Sequence, residues 1–330
     1  MISDIMQEKF IPKLKNMKKN IHIFRIMIKY IRKQKIRMTD MRYIKVRAHG
    51  KINLGLDVVR KREDGYHEVK MVMQTVGIYD GIDIMRQPGK ERNISIETNL
   101  RYLPSNENNL AHKAASMLME EFNINENIFI KMKKMIPVSA GMAGGSADCA
   151  AVLRGMNTMF NLGLSTEELK IRGVKLGADV PYCIMEGTAL SEGIGEILTP
   201  LKPMPDCHII LVKPFINIST KFVYENLRAN ELPYHPDIDG MVDAINKGDL
   251  YGVTSRMSNV LETVTETNYP VIGEIKDMLK EMGAVNAIMS GSGSTVFGIY
   301  DDPEKAEYSY KKMKESGLGR QIYITEPYNG

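Results

Sequence analysis

Cysteine is scarce in this chain of 330 residues: Cys149, Cys183 and Cys207 are the only three. They are too few and too scattered for a disulfide framework or a thiolate zinc site, and no Cys-x-x-Cys pair occurs. A reducing, cytoplasmic setting is therefore expected. Long apolar runs are also missing. The most apolar N-terminal stretch, Ile21 to Ile31, is broken by Arg25 and Lys29. It is too short and too charged to span a bilayer, and it lacks the layout of a secretory signal. Nor does the body of the chain carry an excess of positive charge. The formal charge is +4, yet residues 1–40 alone hold 11 basic and 3 acidic side chains, so the remainder is mildly acidic. Phosphate neutralisation along a nucleic acid needs a basic face, and none is expected here. No internal repeat and no low-complexity segment is present. With 43% hydrophobic and 25% charged residues the composition is that of an ordinary globular protein. Its length suits roughly two domains.

Residues 1–40 read as a basic, helix-forming arm. Beyond Met41 the pattern turns to strands. Ile52, Leu54, Leu56 and Val58 alternate at period two, Lys61–Gly65 is a turn, and His67–Gly77 is a second strand. Short strands are expected near Ile82–Met85 and Asn93–Glu97, then a helix over Asn108–Phe122 with Leu110, Ala114, Met117, Leu118 and Phe122 on one face. Ile128–Ile136 reads as a strand, Pro137–Gly145 as a glycine-rich loop and Ser146–Phe160 as a helix. Ser165 followed by Glu168 is a capping box that opens another helix. A strand is expected over Val180–Met185. The Pro-rich stretch Thr199–Pro205 marks the domain boundary, so the expected units are the arm 1–40, a first domain 41–198 and a second 199–330. Mixed strands and helices without strict alternation point to an α+β fold.

Three stretches carry candidate chemistry. Pro137-Val-Ser-Ala-Gly141-Met-Ala-Gly144-Gly145-Ser146 follows a strand and opens a helix of small residues. Glycines let a ligand approach the backbone, and a helix N-terminus offers unpaired N–H groups to an anion. The loop lacks the Gly-Lys-Ser/Thr close of one phosphate-binding motif and the glycine spacing of the dinucleotide motif. Alone it reads either as a phosphate cradle or as a turn that caps a helix. In Lys51-Ile-Asn53-Leu, Lys51 and Asn53 share one strand face, and Asp64-Gly65-Tyr66-His67 follows. Alone this is a solvent-facing strand with a polar edge. In Gly177-Ala-Asp179-Val-Pro, Asp179 could be a catalytic base, a metal ligand or only a turn former.

Order and content together resemble the GHMP small-molecule kinases. The matching stretches are Lys51, the Pro137–Ser146 loop and the C-terminal turn Gly291-Ser292-Gly293, and the resemblance runs from residue 41 to about 325. Lys-Ile-Asn-Leu, Asp-Gly-Tyr-His, Gly-Ala-Asp-Val-Pro and Gly195–Leu198 match the branch that phosphorylates a cytidine-diphosphate-linked methylerythritol on its tertiary hydroxyl, in the non-mevalonate isoprenoid pathway. Met142 stands where the family usually has Leu, which keeps volume and apolarity. The resemblance implies a two-domain fold with mixed and antiparallel sheets, and ATP with Mg²⁺ as cofactors. It assigns Lys51 and Asp179 to catalysis. Pro137, Gly141, Gly144, Gly145 and Ser146 fall to the ATP phosphates, with Ser146 also toward the metal, and Asn109 and Leu110 to adenine. Asn53, Tyr66, His67, Thr220 and Tyr224 fall to a substrate bearing cytidine diphosphate. Lys51 is expected beside Asp179, keeping it ionised. A kinase for a homoserine- or mevalonate-type alcohol is one alternative, opposed by Asp-Gly-Tyr-His beside Lys-Ile-Asn-Leu. A non-catalytic nucleotide-binding protein is the other, opposed by the presence of both Lys51 and Asp179. No nucleic-acid partner or membrane span is expected, and the chain is expected as a monomer or weak homodimer. The arm is expected to be peripheral. A start codon chosen upstream is its first explanation, ahead of a membrane-surface helix or a nucleic-acid tether.

Overall fold

The computed structural model describes residues 42–87 and 92–329. The readings made for the arm lie outside the described residues. The first half runs β1 (Tyr43–Lys61), β2 (His67–Gln87), β3 (Asn93–Thr98), α1 (Leu110–Glu121), β4 (Asn127–Lys133), α2 (Gly144–Met159), α3 (Thr166–Val174), α4 (Val180–Met185), β5 (Thr188–Glu192) and β6 (Ile197–Pro200). The second runs β7 (His208–Pro214), α5 (Thr220–Asn226), α6 (Ile238–Lys247), α7 (Leu250–Thr254), β8 (Ser258–Asn259), α8 (Glu262–Asn268), α9 (Val271–Glu281), β9 (Asn286–Met289), β10 (Val296–Tyr300), α10 (Pro303–Ser316) and β11 (Gly319–Thr325). The fold is α+β, as the mixed pattern implied.

One sheet has the order β3-β4-β2-β1-β8, with β5 on β2 and β6 on β5. Its β3–β4 and β1–β8 pairs are parallel and the rest antiparallel. The other sheet, β11-β7-β10-β9, is antiparallel throughout. The pieces expected as separate short strands at 43–60 and 67–85 are two long continuous ones. The ladder passes through Asp80 and Gly81, where Asp80 has buried partners.

Helix α2 lies on β1 and β2 and is buried continuously from Ala147 to Leu153. Gly155 permits that close approach: a Cβ there would sit 2.5 Å from Ile84 Cδ1 and 3.1 Å from Val46 Cγ2. The capping box at Ser165 is present, the hydroxyl accepting from Glu168 N and the Glu168 carboxylate accepting from Ser165 N.

Residues 180–185 form a helix, α4, where a strand was expected. Six apolar residues fit a buried strand or a buried helix equally by periodicity. Pro181 in the first turn, where a missing N–H costs nothing, and packing against α2 and α3 favour the helix. The correction moves Asp179 from the start of a strand to the N-cap of a helix.

Candidate active site

A cleft of about 1030 Å³ opens between the glycine-rich loop, β1, the β1–β2 turn, α5 and the 290–294 turn. Every residue singled out from the sequence lines it, from Lys51, Asn53, Tyr66 and His67 through Asn109 and Leu110 to Asp179, Thr220 and Tyr224. Pro137, Gly141, Gly144, Gly145, Ser146, Gly291, Ser292 and Gly293 complete that set. The volume reaches the upper end for one small ligand, which leaves room for two in an open cleft.

Two register slips in β1, at His49/Lys51 and Asn53/Gly55, bracket the Lys51–Asn53 segment. Such bulges re-aim side chains. The buried Lys51 ammonium donates to Asn53 Oδ1 at 2.6 Å. Asn53 Nδ2 in turn contacts Met71 Sδ at 3.0 Å, and Asn53 N donates to Ser290 Oγ at 3.3 Å. Among the described residues Lys51 forms no ion pair, and its hydrogen-bond partner is Asn53. Asp179, the N-cap of α4, makes no side-chain capping bond and leaves its carboxylate unengaged among the described residues. Both charges nonetheless reach buried Cys183: burial raises that thiol most, Asp179 raises it further and Lys51 opposes. Burial, then Asp179, also raises the Tyr224 hydroxyl.

The glycine-rich loop ends in Ala143, left-handed at φ 54°, which caps α2 without any side-chain bond. The first N–H groups of this 16-residue helix therefore stay available to an anion. The Ser146 hydroxyl is also unpartnered among the described residues. Gly141, at φ 74°, faces the C-terminal turn so closely that a Cβ would lie 1.9 Å from Ser290 O. Ser290 Oγ donates to Gly141 O at 2.9 Å and Thr295 N to Ala140 O at 3.1 Å. Loop and turn form one wall.

A buried charge cluster fixes the loop, and the sequence reading missed it. Lys134, just before the loop, pairs with Asp80 of β2 and Asp148 of α2, all nearly inaccessible. Asp80 also accepts from Ile136 N at 2.9 Å and from Met135 N. The loop is thus tied at both ends to one ammonium. Burial alone favours a neutral Lys134, but the carboxylates of Asp148 and Asp80 outweigh it and raise its pKa. One cation shared by two buried carboxylates leaves Asp148 short of charge compensation. Burial pushes Asp148 up to about 8 against the pull of Lys134. The available signal was a charged residue inside each of two apolar stretches, Ile78–Ile82 and Ala147–Val152, since a buried charge demands a partner.

At the other wall His67 lies against Tyr224, ring centroids 5.0 Å apart and tilted 38°. Its Nε2 is buried without a hydrogen-bond partner. Burial, then the Lys61 charge, lowers the His67 pKa and favours the neutral ring. Tyr66 stands exposed beside it. Thr220 Oγ1 is 2.8 Å from Ser292 Oγ, joining α5 to the C-terminal turn. Asn109 is the N-cap of α1: its Oδ1 accepts from Ala111 N at 2.9 Å and its Nδ2 donates to Pro104 O at 2.7 Å. Its side chain therefore has a structural task whatever it contacts in the cleft. The described residues contain no group of three or more His, Cys, Asp or Glu arranged to hold a metal ion. No helix among them is long and apolar enough to cross a membrane.

Two family profiles match the chain, GHMP kinases N terminal domain at residues 109–187 and GHMP kinases C terminal at 241–317. The 4-diphosphocytidyl-2-C-methyl-D-erythritol kinase of Lachnoclostridium phytofermentans is 51% identical over 285 residues, covering 86% of this chain and 97% of that one. The enzyme of the same name from Lachnospira eligens is 52% identical over 288 residues, covering 87% and 99%. A crystal structure of 4-(cytidine 5'-diphospho)-2C-methyl-D-erythritol kinase superposes with a TM-score of 0.74 at 27% identity, over 87% of this chain and 100% of that one.

Proposed function

Because the chain belongs to the GHMP kinases, among the 4-diphosphocytidyl-2-C-methyl-D-erythritol kinases, we propose that its cleft passes the γ-phosphoryl group of ATP to the tertiary hydroxyl of that cytidyl alcohol. One observation carries the reading. A single cavity holds both an uncapped helix N-terminus and a half-buried imidazole whose buried Nε2 has no partner. The first suits phosphates; the second suits the edge of a base.

Phosphoryl transfer asks a protein mainly for positioning and for charge placed where charge develops. The N–H groups of Gly144, Gly145 and Ser146 receive the phosphates, with Pro137 and Gly141 shaping the loop and Asn109 and Leu110 on the adenine side. Asp179 orients the acceptor hydroxyl and takes its proton. Its unengaged carboxylate suits that task, since no bond has to break first. Lys51, held by Asn53, counters charge on the moving group. When bound, Mg²⁺ would supply charge neutralisation. The free Ser146 hydroxyl would hold it, and no acidic cluster is required because such an ion takes only one or two protein oxygens.

On the acceptor side neutral His67 bonds the cytosine edge, Tyr66 and Tyr224 offer stacking faces, and Asn53 and Thr220 contact the rest of the substrate. The turn Gly291-Ser292-Gly293 closes that end through the Ser292–Thr220 bond. Homoserine and mevalonate have no base to fill it. The setting is the cytoplasm, where three free, buried cysteines persist reduced. Replacing His67 by Ala removes one polar partner of the base and nothing of the phosphate site. Steady-state kinetics should show the KM for the cytidyl alcohol rising about 10-fold or more while that for ATP moves less than about 2-fold. An equal rise in both would leave His67 a structural role only.

A further inference from the structure

Near the end of strand β7 a lysine turns back into the protein. Lys213 is 3% exposed. Its ammonium donates to Pro214 O at 3.1 Å, to Asn217 Oδ1 at 3.2 Å and to Ile216 O. Among the described residues no carboxylate pairs with it. Burial, then the Arg320 guanidinium, pushes its pKa down to about 8, so it still carries its charge at neutral pH. Burying an uncompensated charge is costly. A side chain kept at such a cost has something to hold.

What it holds is the segment leading into the cleft. Ile218, Ser219, Thr220 and Tyr224 all line that cavity. Ser219 caps α5, its hydroxyl accepting from Phe222 N at 3.4 Å. The carbonyl of Ile216 receives a second donor, Ser294 Oγ at 2.9 Å, from the C-terminal glycine turn. Three rotatable donors on a flexible stem match three oxygens that converge from one short loop.

We propose that Lys213 is a positioning residue: its ammonium gathers residues 214–217 into the one shape that sets Thr220 and Tyr224 against the acceptor substrate. The role assigned to those two residues rests on the reading given above. No other group takes the place of the ammonium, because carbonyl and amide oxygens that converge can share only a donor. A methionine of similar length would leave them facing one another, and the loop would open.

Steady-state kinetics with each substrate varied in turn tests this in Lys213→Met, Asn217→Ala and Thr220→Val. Asn217 is exposed, so its variant folds even if the buried one does not. Lys213→Met should raise the acceptor KM about 5- to 20-fold with the ATP KM within about 2-fold. Asn217→Ala should move the acceptor KM the same way by about 2- to 3-fold. A positioning role is overturned if Thr220→Val raises the acceptor KM but both other variants leave it unchanged, or raise both KM values equally. If Thr220→Val itself has no effect, it is the acceptor-side assignment that falls. Hydrogen exchange of amides 215–222 then judges the lysine alone. Faster exchange confined to that segment in Lys213→Met or Asn217→Ala supports the role, and unchanged exchange in both overturns it.

Discussion

Asp179 is a carboxylate in the cleft with nothing to do in the resting protein. Exposed Asp residues with no partner are common; this one is half-buried, and its charge reaches the Tyr224 hydroxyl and the Cys183 thiol. If it accepts the hydroxyl proton, Asp179→Asn should lower kcat by about 100-fold or more and leave the ATP KM nearly unchanged. Retention of more than about a tenth of the activity, a loss below ~1.4 kcal/mol, would contradict the role. Asp148 offers a different test. Its folded pKa, pushed up to about 8, stands above its unfolded value, so the folded chain keeps a proton that the unfolded chain has released. That contribution to stability is whole below the unfolded pKa and is lost as pH rises toward about 8. Asp148→Asn cannot lose the proton. The melting temperature of the variant minus that of the parent should therefore grow from about pH 5 to about pH 8. A constant difference would mean that Asp148 is ionised throughout.

Among the elements, the loop between β4 and α2 shows how the sequence both exposes and hides a site. Its glycines, the strand before it and the helix after it were legible, because each rests on local backbone chemistry. The clamp that holds it was not. Lys134, Asp80 and Asp148 are 54 and 14 residues apart along the chain, and no local pattern links them. The same limit explains α4, where six apolar residues carry no period and only packing chose the helix. The Lys51–Asn53 bond is the opposite case: the two residues share one strand face two positions apart, so their closeness was legible. The match of loop to turn gives the test at this scale. Gly141→Ala places a methyl group 1.9 Å from Ser290 O and strains a φ of 74°. It should cost about 1–3 kcal/mol in denaturant unfolding and reduce turnover at least about 100-fold. Wild-type turnover in a destabilised variant would separate the loop from catalysis.

Across the whole molecule, the cleft exists only where distant segments meet. Strand β8, from the second half of the chain, pairs with β1 beside Lys51 and Asn53, and Asn259 on it donates to the carbonyls of Met289 and Gly291, both at 2.8 Å. The C-terminal turn is thereby fixed to the strand that bears Lys51. Fold class and the membership of the cleft were legible because several short motifs stand in one order. The long-range bonds that set their spacing were not, since they join residues with no common sequence signal. Phosphorylation of 4-diphosphocytidyl-2-C-methyl-D-erythritol, homoserine and mevalonate by ATP with Mg²⁺, each followed as kcat/KM, tests the assembled cleft most directly. The cytidyl alcohol should be preferred by at least about 1000-fold, because only it carries a base for the site proposed at His67 and Tyr224. Comparable turnover of homoserine or mevalonate would contradict the assignment.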